Sequence, residues 1–212
     1  MQKITALKPQ KRNKERVNVY LDDVFAFGLA LDAAIGLHVG QTLSADEIAA
    51  LKDEDAFVRA KGRALRYLGY RPRSVDEVRR NLARKGVEEP VIERVLAYLE
   101  HYDYVDDLAF AEYWIEQRET FKPRGRLALQ QELRQKGVAR RTIDEALADL
   151  DETQAARRAA MKRGRRYANL PYDEFRRKLG GFLQRRGFRY GTARDAVDRA
   201  WQEYSEEEDT AT

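Results

Sequence analysis

Histidine and cysteine, the side chains most used for metal binding and for nucleophilic or acid–base catalysis near neutral pH, are sparse in this chain. It has two histidines, His38 and His101, and no cysteine. Neither histidine has a second histidine or a set of carboxylates at metal-ligand or triad spacing, so both read as structural or surface residues. The adjacent acids Glu88-Glu89 and Asp106-Asp107 invite a metal. Neighbouring residues on a helix point away from each other, however, so neither pair converges on one ion, and helix capping accounts for Asp106. There is no G-x-x-x-x-G-K-[ST] loop, and no G-x-G-x-x-G follows a strand. Gly180-Gly181 falls inside a helical pattern, as a close-packing point or a weak spot rather than a phosphate loop. No catalytic residue, metal ligand or cofactor is expected.

The chemistry that the sequence does offer is cationic. Net charge is only +4, but residues 155–204 hold 14 basic and five acidic side chains, whereas the last eight residues are acidic. Arginine dominates that block, and its planar fork pairs with phosphates and carboxylates and stacks on flat groups. Arg157, Arg158, Lys162, Arg163, Arg165 and Arg166 surround Tyr167, and Arg176, Arg177, Arg185 and Arg186 follow. For any single arginine the competing reading is an exposed ion pair worth little. For the block as a whole, a polyanionic or acidic partner is expected.

The elements that position these groups repeat. Leu82-Ala83-Arg84-Lys85-Gly86-Val87, Leu133-Arg134-Gln135-Lys136-Gly137-Val138 and Leu183-Gln184-Arg185-Arg186-Gly187-Phe188 all read Leu-x-x-basic-Gly-apolar, the glycines 51 and then 50 residues apart. The match extends to Val78, Leu129 and Leu179 before the glycine, and to Ile92, Ile143 and Ala193 after it. Two copies also share a proline between basic residues, Arg71-Pro72-Arg73 and Lys122-Pro123-Arg124. These apolar spacings give one buried face on each of two helices, with the glycine at the position that ends the first helix at positive φ. Ser74-Val75-Asp76-Glu77 reads as a capping box, and Pro90 suits a first helical turn. A further helix precedes each pair, near 56–68, 108–119 and 152–168, the last two capped by Asp106 and Asp151. The expectation is a mainly all-α fold of three tandem three-helix repeats forming an elongated curved array. One compact bundle of the same helices is the alternative.

Residues 1–55 differ. Lys3–Lys8, Arg16–Leu21 and the stretch after Asp22-Asp23 predict a small three-stranded β-meander, followed by a short helix capped at Ser44 and ending near Lys52. Asp53-Glu54-Asp55 reads as the boundary with the repeats. The expected division is therefore a β-rich extension over 1–55, repeats over 56–107, 108–151 and 152–204, and an acidic disordered tail over 205–212. Aromatics Tyr98, Tyr102, Tyr104, Phe110, Tyr113 and Trp114 read as packing between repeats one and two rather than as a nucleobase platform. No segment approaches the roughly 18 apolar residues of a membrane helix, and Met1–Leu7 lacks a signal-peptide core. With mean hydropathy of −0.73, a soluble, cytoplasmic, monomeric protein is expected.

In combination these motifs resemble the RecX family of RecA regulators. The resemblance is carried by Arg71-Pro72-Arg73-Ser74 with Glu77-Val78, by Leu82-Ala83-Arg84-Lys85-Gly86, and by Tyr104-Val105-Asp106-Asp107 with Phe110-Ala111 and Trp114. It continues through Lys122-Pro123-Arg124-Gly125, Glu132-Leu133, Lys136-Gly137 and Phe182-Leu183 with Arg185-Arg186-Gly187-Phe188. It covers about residues 56–204, and the β-rich extension looks like that of longer members. The resemblance implies a non-enzymatic protein that lies in the helical groove of the RecA–DNA filament. There it modulates, usually inhibits, RecA ATPase and strand exchange, and so dampens recombination, DNA repair and SOS signalling. The expected contacts to RecA or to DNA phosphates, single- or double-stranded, are the third-repeat arginines and lysines named above with Arg71, Arg73, Lys122 and Arg124. One departure is that repeat two is slightly acidic. The alternative is a nucleic-acid-binding helical module that makes no contact with RecA.

Overall fold

The computed structural model describes residues 1–210, with side chains through Glu206. Backbone contacts divide the chain into two compact units. One comprises Met1–Arg71 with Val78–Tyr104, the other Pro72–Glu77 with Val105 onward.

The first unit opens with β1 (Gln2–Pro9), β2 (Arg16–Leu21) and β3 (Val24–Ala30), an antiparallel meander. Asp22 and Asp23 sit at φ 48° and 69°, the two left-handed residues that a two-residue hairpin needs. A short β4 (Thr42–Leu43) pairs with β1, so the sheet has four strands in the order β3-β2-β1-β4 rather than the three expected. Alternation puts Val19, Leu21, Phe27 and Leu29 on one face, where they bury with Ile4 and Leu43 against Ile48 and Leu51.

Those last two residues belong to α1 (Ala45–Leu68), opened by the capping box of Ser44 and Glu47. α1 is continuous, where a short helix, an acidic boundary and a second helix were expected. The acidic run has partners that let it stay helical. The buried Asp55 takes Arg16 Nη1 at 3.0 Å, Arg59 Nε at 2.9 Å and the Ala30 N–H at 2.8 Å, and Glu54 meets Arg94 at 2.9 Å. No glycine or proline interrupts positions 45–61. α2 (Val75–Ala83) and α3 (Glu89–His101) follow, the latter against α1. Tyr98 rests on Phe57, with ring centroids 6.1 Å apart. Tyr102 and Tyr104 stay 56% and 52% exposed, so these two rings are not packed away as expected.

The second unit holds α4 (Asp107–Phe121), α5 (Arg126–Gln135) and α6 (Arg140–Ala146), closed around Phe110, Ile115, Leu129, Leu133, Ile143 and Leu147. Then come α7 (Glu152–Gly164), α8 (Tyr172–Arg185) and α9 (Tyr190–Thr210), around Phe175, Leu179, Leu183, Val197 and the small face of α7. Asp106 and Asp151 cap α4 and α7 as expected. α7 stops at Gly164 rather than near Ala168, and Gly164 lies under the Tyr204 ring. The acidic run expected to be disordered from 205 is helical as far as Thr210. Buried Tyr204 anchors α9, the Ser205 hydroxyl donates to the Trp201 carbonyl at 3.0 Å, and glutamate is a good helix former. Ala211 and Thr212 lie outside the described residues.

The repeated hexamer is a helix stop. Val87, Val138 and Phe188 N–H groups donate to the Leu82, Leu133 and Leu183 carbonyls at 3.2, 3.1 and 3.2 Å. Gly86, Gly137 and Gly187 donate to Ala83, Arg134 and Gln184, each at 2.9 Å, with φ of 74°, 81° and 82°. Both bonds of a Schellman motif are thus present three times, and the apolar residues at its ends explain the leucine and the residue after the glycine.

Two of these stops are also joints. The Ser74 hydroxyl donates to the Lys136 carbonyl at 2.5 Å beside Gly137, and Glu77 pairs with Lys136 Nζ at 2.8 Å. One repeat later the Gly125 N–H donates to the Arg186 carbonyl at 2.9 Å beside Gly187. The shared Pro-containing segments are therefore where the start of one helix seats on the stop of the next repeat.

Candidate functional site

The side chains of α7 divide by size. Ala155, Ala156, Ala159 and Ala160 are buried, so the helix packs closely and its long cations project outward. Two of them are neutralised there: Arg157 meets Glu203 at 2.7 Å, and Arg158 meets Glu119 at 3.2 Å. Lys162, Arg165 and Arg166 are exposed and make no ion pair among the described residues.

Lys162, Arg163 and Arg166 line an open cleft of about 450 Å³ together with Phe121, Lys122 and Pro123 from the end of α4, and Phe182 and Arg186 from the end of α8. Five cations and no carboxylate line it. Arg163 Nε donates to the Tyr167 hydroxyl at 3.2 Å, and its guanidinium lies 5.5 Å from the Phe182 ring centroid. Arg186 lies 4.8 Å from the same ring and donates from Nη1 to the Pro123 carbonyl at 3.3 Å. Burial lowers the pKa of Arg186, and the like charges of Arg124, Arg118 and Arg163 lower it further. Like charges held this close give the cleft a positive potential.

Two of the cations whose charge reaches Arg186, Arg118 and Arg124, share one carboxylate. Glu132 accepts from Trp114 Nε1 at 2.8 Å and Arg118 Nε at 2.7 Å, and Arg124 Nε lies 3.3 Å away. Arg124 is thereby turned to Glu132, whereas its neighbour Lys122 faces the cleft.

The other expected contact residues fall elsewhere. Arg176 and Arg177 border a smaller depression of about 230 Å³ over α8 and α9 with Arg194, and Arg185 is exposed at the end of α8. Arg71 and Arg73 are half-buried, with the Arg73 Nε enclosed. The structure thus gathers Lys122, Lys162, Arg163, Arg166 and Arg186 around one cleft. Sequence reasoning passed over Phe121, and it named Phe182 and Glu132 only as part of the family resemblance, with no role at a site. The four-residue spacing of Phe182 and Arg186, which stacks cation on ring along one helix face, was the available signal for one of them.

The remaining acid–base candidates have local roles. Asp107 accepts the Val75 N–H at 2.9 Å and so serves the start of α2. Both histidines are exposed, His101 beside the Tyr102 ring. Among the described residues no group of three or more His, Cys, Asp or Glu side chains is placed to hold a metal ion, and no helix is long and apolar enough to cross a membrane. α8 runs straight through Gly180-Gly181, and a Cβ at Gly180 would meet nothing within 4 Å, so this is a weak spot and not a packing point.

Three-helix repeats that follow a small sheet in the chain, the last two of them bordering a cation-lined cleft, define the class: a helical-repeat protein. Family models for RecX match along the chain: the N-terminal domain of regulatory protein RecX over 2–44, then the first, second and third three-helix domains over 60–99, 106–147 and 150–197. Regulatory protein RecX of Clostridium tetani is 32% identical, covering 93% of this chain and 94% of that protein. Its Bacillus subtilis counterpart is 33% identical, covering 98% of this chain and 80% of that protein. A crystal structure of regulatory protein RecX aligns with a TM-score of 0.73 at 30% identity, over 93% of this chain and all of that one. RecX from Lactobacillus salivarius, at 24% identity and a TM-score of 0.61, shares the fold over 72% of this chain and 98% of its own. The chain belongs to the RecX family of regulatory proteins.

Proposed function

We propose that this protein binds the RecA–DNA filament in its helical groove and restrains RecA, lowering ATP hydrolysis and strand exchange. It would thereby dampen recombination, DNA repair and the SOS response from the cytoplasm. The observation that carries this reading is the five-cation, carboxylate-free cleft, in a chain whose relatives are named regulatory proteins. A filament of protein on DNA presents phosphates and acidic side chains along a repeating path. Several weak contacts from one body then act at high effective concentration. Lys122, Lys162, Arg163, Arg166 and Arg186 are the principal contacts in this proposal. Arg165, Arg176, Arg177 and Arg185 add exposed charge, and Arg71, Arg73, Arg124, Arg157 and Arg158 contribute through the framework.

The test is RecA's single-stranded-DNA-dependent ATPase, followed as this protein is titrated in below one copy per RecA, with filament co-sedimentation alongside. The expected result is a falling rate and a co-sedimenting protein. An unchanged rate with no co-sedimentation sinks the proposal. A second reading, a nucleic-acid module acting without RecA, is favoured by exposed Arg165, Arg166, Arg176 and Arg177, which make no ion pair among the described residues. DNA binding that weakens steeply with salt, together with an unchanged ATPase, is the result that selects it.

A further inference from the structure

The cleft between the ends of α4, α7 and α8 has two unlike walls. One is cationic, and two of its guanidiniums are held in place by the Phe182 ring at 4.8 and 5.5 Å. The other is Phe121, 63% exposed, with no ring or cation over it among the described residues. The two walls have different needs. Unneutralised cations favour a compact anion with several acceptor oxygens, which a phosphate supplies better than a lone carboxylate. An exposed phenylalanine beside them favours a flat face to cover it. A volume of about 450 Å³ falls within the roughly 300–1,000 Å³ of sites that take small ligands.

We propose that this cleft binds a nucleotidyl unit, its phosphate against Lys162, Arg163, Arg166 and Arg186 and its base stacked on Phe121. An acidic peptide would satisfy the cations and leave the ring bare. A duplex keeps its bases stacked inside and presents phosphates alone, so the cleft prefers an unpaired strand or a free nucleoside triphosphate, which share this chemistry. The inference rests on the cleft being the polyanion contact of the proposed function and names what that contact accepts.

The experiment uses the full chain without RecA. Fluorescence anisotropy compares a labelled oligothymidylate with an abasic strand of equal length and with a duplex. The expected preference for the oligothymidylate over the abasic strand is about tenfold. Phe121→Ala abolishes that preference without changing abasic affinity, Phe121→Tyr keeps it, and Lys162→Glu with Arg166→Glu weakens both. These positions are exposed, so thermal unfolding curves check that the variants are folded. Equal affinity of the wild type for all three probes, or an intact preference in Phe121→Ala, overturns the proposal. ATP displacing the oligothymidylate makes free nucleotide the source, and failure to displace makes it the strand; the assignment stands in both cases. A base preference with no effect on RecA's ATPase would remove the proposed function and keep the cleft. Inhibition of RecA with no base preference would do the reverse.

Discussion

Glu132 and Asp107 are carboxylates of similar burial put to opposite electrostatic use. Glu132 accepts from Trp114 and Arg118 and pairs with Arg124, and its side chain is 19% exposed. Glu132→Ala leaves Arg118 and Arg124 near Arg186 without their shared counter-charge. A loss of about 2 kcal/mol is expected by urea unfolding, less than for a fully buried pair because water still reaches the site. Asp107 is held above the ordinary carboxylate range mainly by burial, opposed by the Val75 N–H, with Asp106 and Asp76 adding repulsion. A raised pKa in the folded state means that the folded protein favours the protonated form, so this group's contribution is full at low pH and is lost as pH rises through the folded value. Asp107→Asn keeps an oxygen for Val75 and removes the charge. It should raise the melting temperature at neutral pH, with the gain shrinking toward zero in acid; a lower melting temperature at neutral pH would contradict this. The sequence announced Asp106 as a cap because its partners are two and three residues away. It did not disclose the roles of Asp107 and Glu132, whose partners lie up to 32 and 18 residues away.

At the scale of elements, three glycines that look alike in sequence, and a fourth inside a helix, separate by what surrounds them. Gly86, Gly137 and Gly187 all sit at positive φ, where a Cβ costs roughly 1–2 kcal/mol. At Gly86 nothing lies within 4 Å of a Cβ, so Gly86→Ala should cost only that. At Gly137 a Cβ overlaps Asp76, and at Gly187 it overlaps the Ala128 backbone, so those substitutions should cost about 3 kcal/mol or more, with the joint displaced. Gly180 lies in the middle of α8 with open space around it, and Gly180→Ala should stabilise by about 0.5–1 kcal/mol. Urea midpoints of the four variants check the order and the change of sign. The stops were legible because a Schellman motif is local, six residues carrying their own requirement. The joints were not, since Ser74 on Lys136 and Gly125 on Arg186 join residues about sixty apart, and the Pro-flanking cations were read as partner contacts. α1 was misjudged for the same reason. Asp53-Glu54-Asp55 looks like a solvated boundary until Arg16 and Arg94, distant in sequence, arrive to pair with it.

Over the whole molecule, counting charge along the chain located the basic block but could not say which of its members carry free charge. Arg157 is neutralised by Glu203, 46 residues away, and Arg158 by Glu119, 39 residues away. Lys162 and Arg166, next to them in sequence, keep theirs and line the cleft. These two pairs of residues therefore contribute the same formal charge and different fields. Binding to a polyanion releases counterions in proportion to the phosphates that are neutralised, so the salt dependence of binding counts the cations that make contact. Lys162→Ala with Arg166→Ala should reduce the slope of log affinity against log salt by about 1 to 2 and weaken binding at every salt concentration. Arg157→Ala with Arg158→Ala removes the same formal charge but also frees Glu203 and Glu119, which lie outside the cleft. Its slope should stay near that of the wild type while its melting temperature falls slightly, as expected of exposed ion pairs. Titrations of a single-stranded oligonucleotide at four or five salt concentrations measure both slopes. Equal reductions would mean that the polyanion senses the block as a diffuse field, and a reduction confined to Lys162 and Arg166 would locate the contact in the cleft.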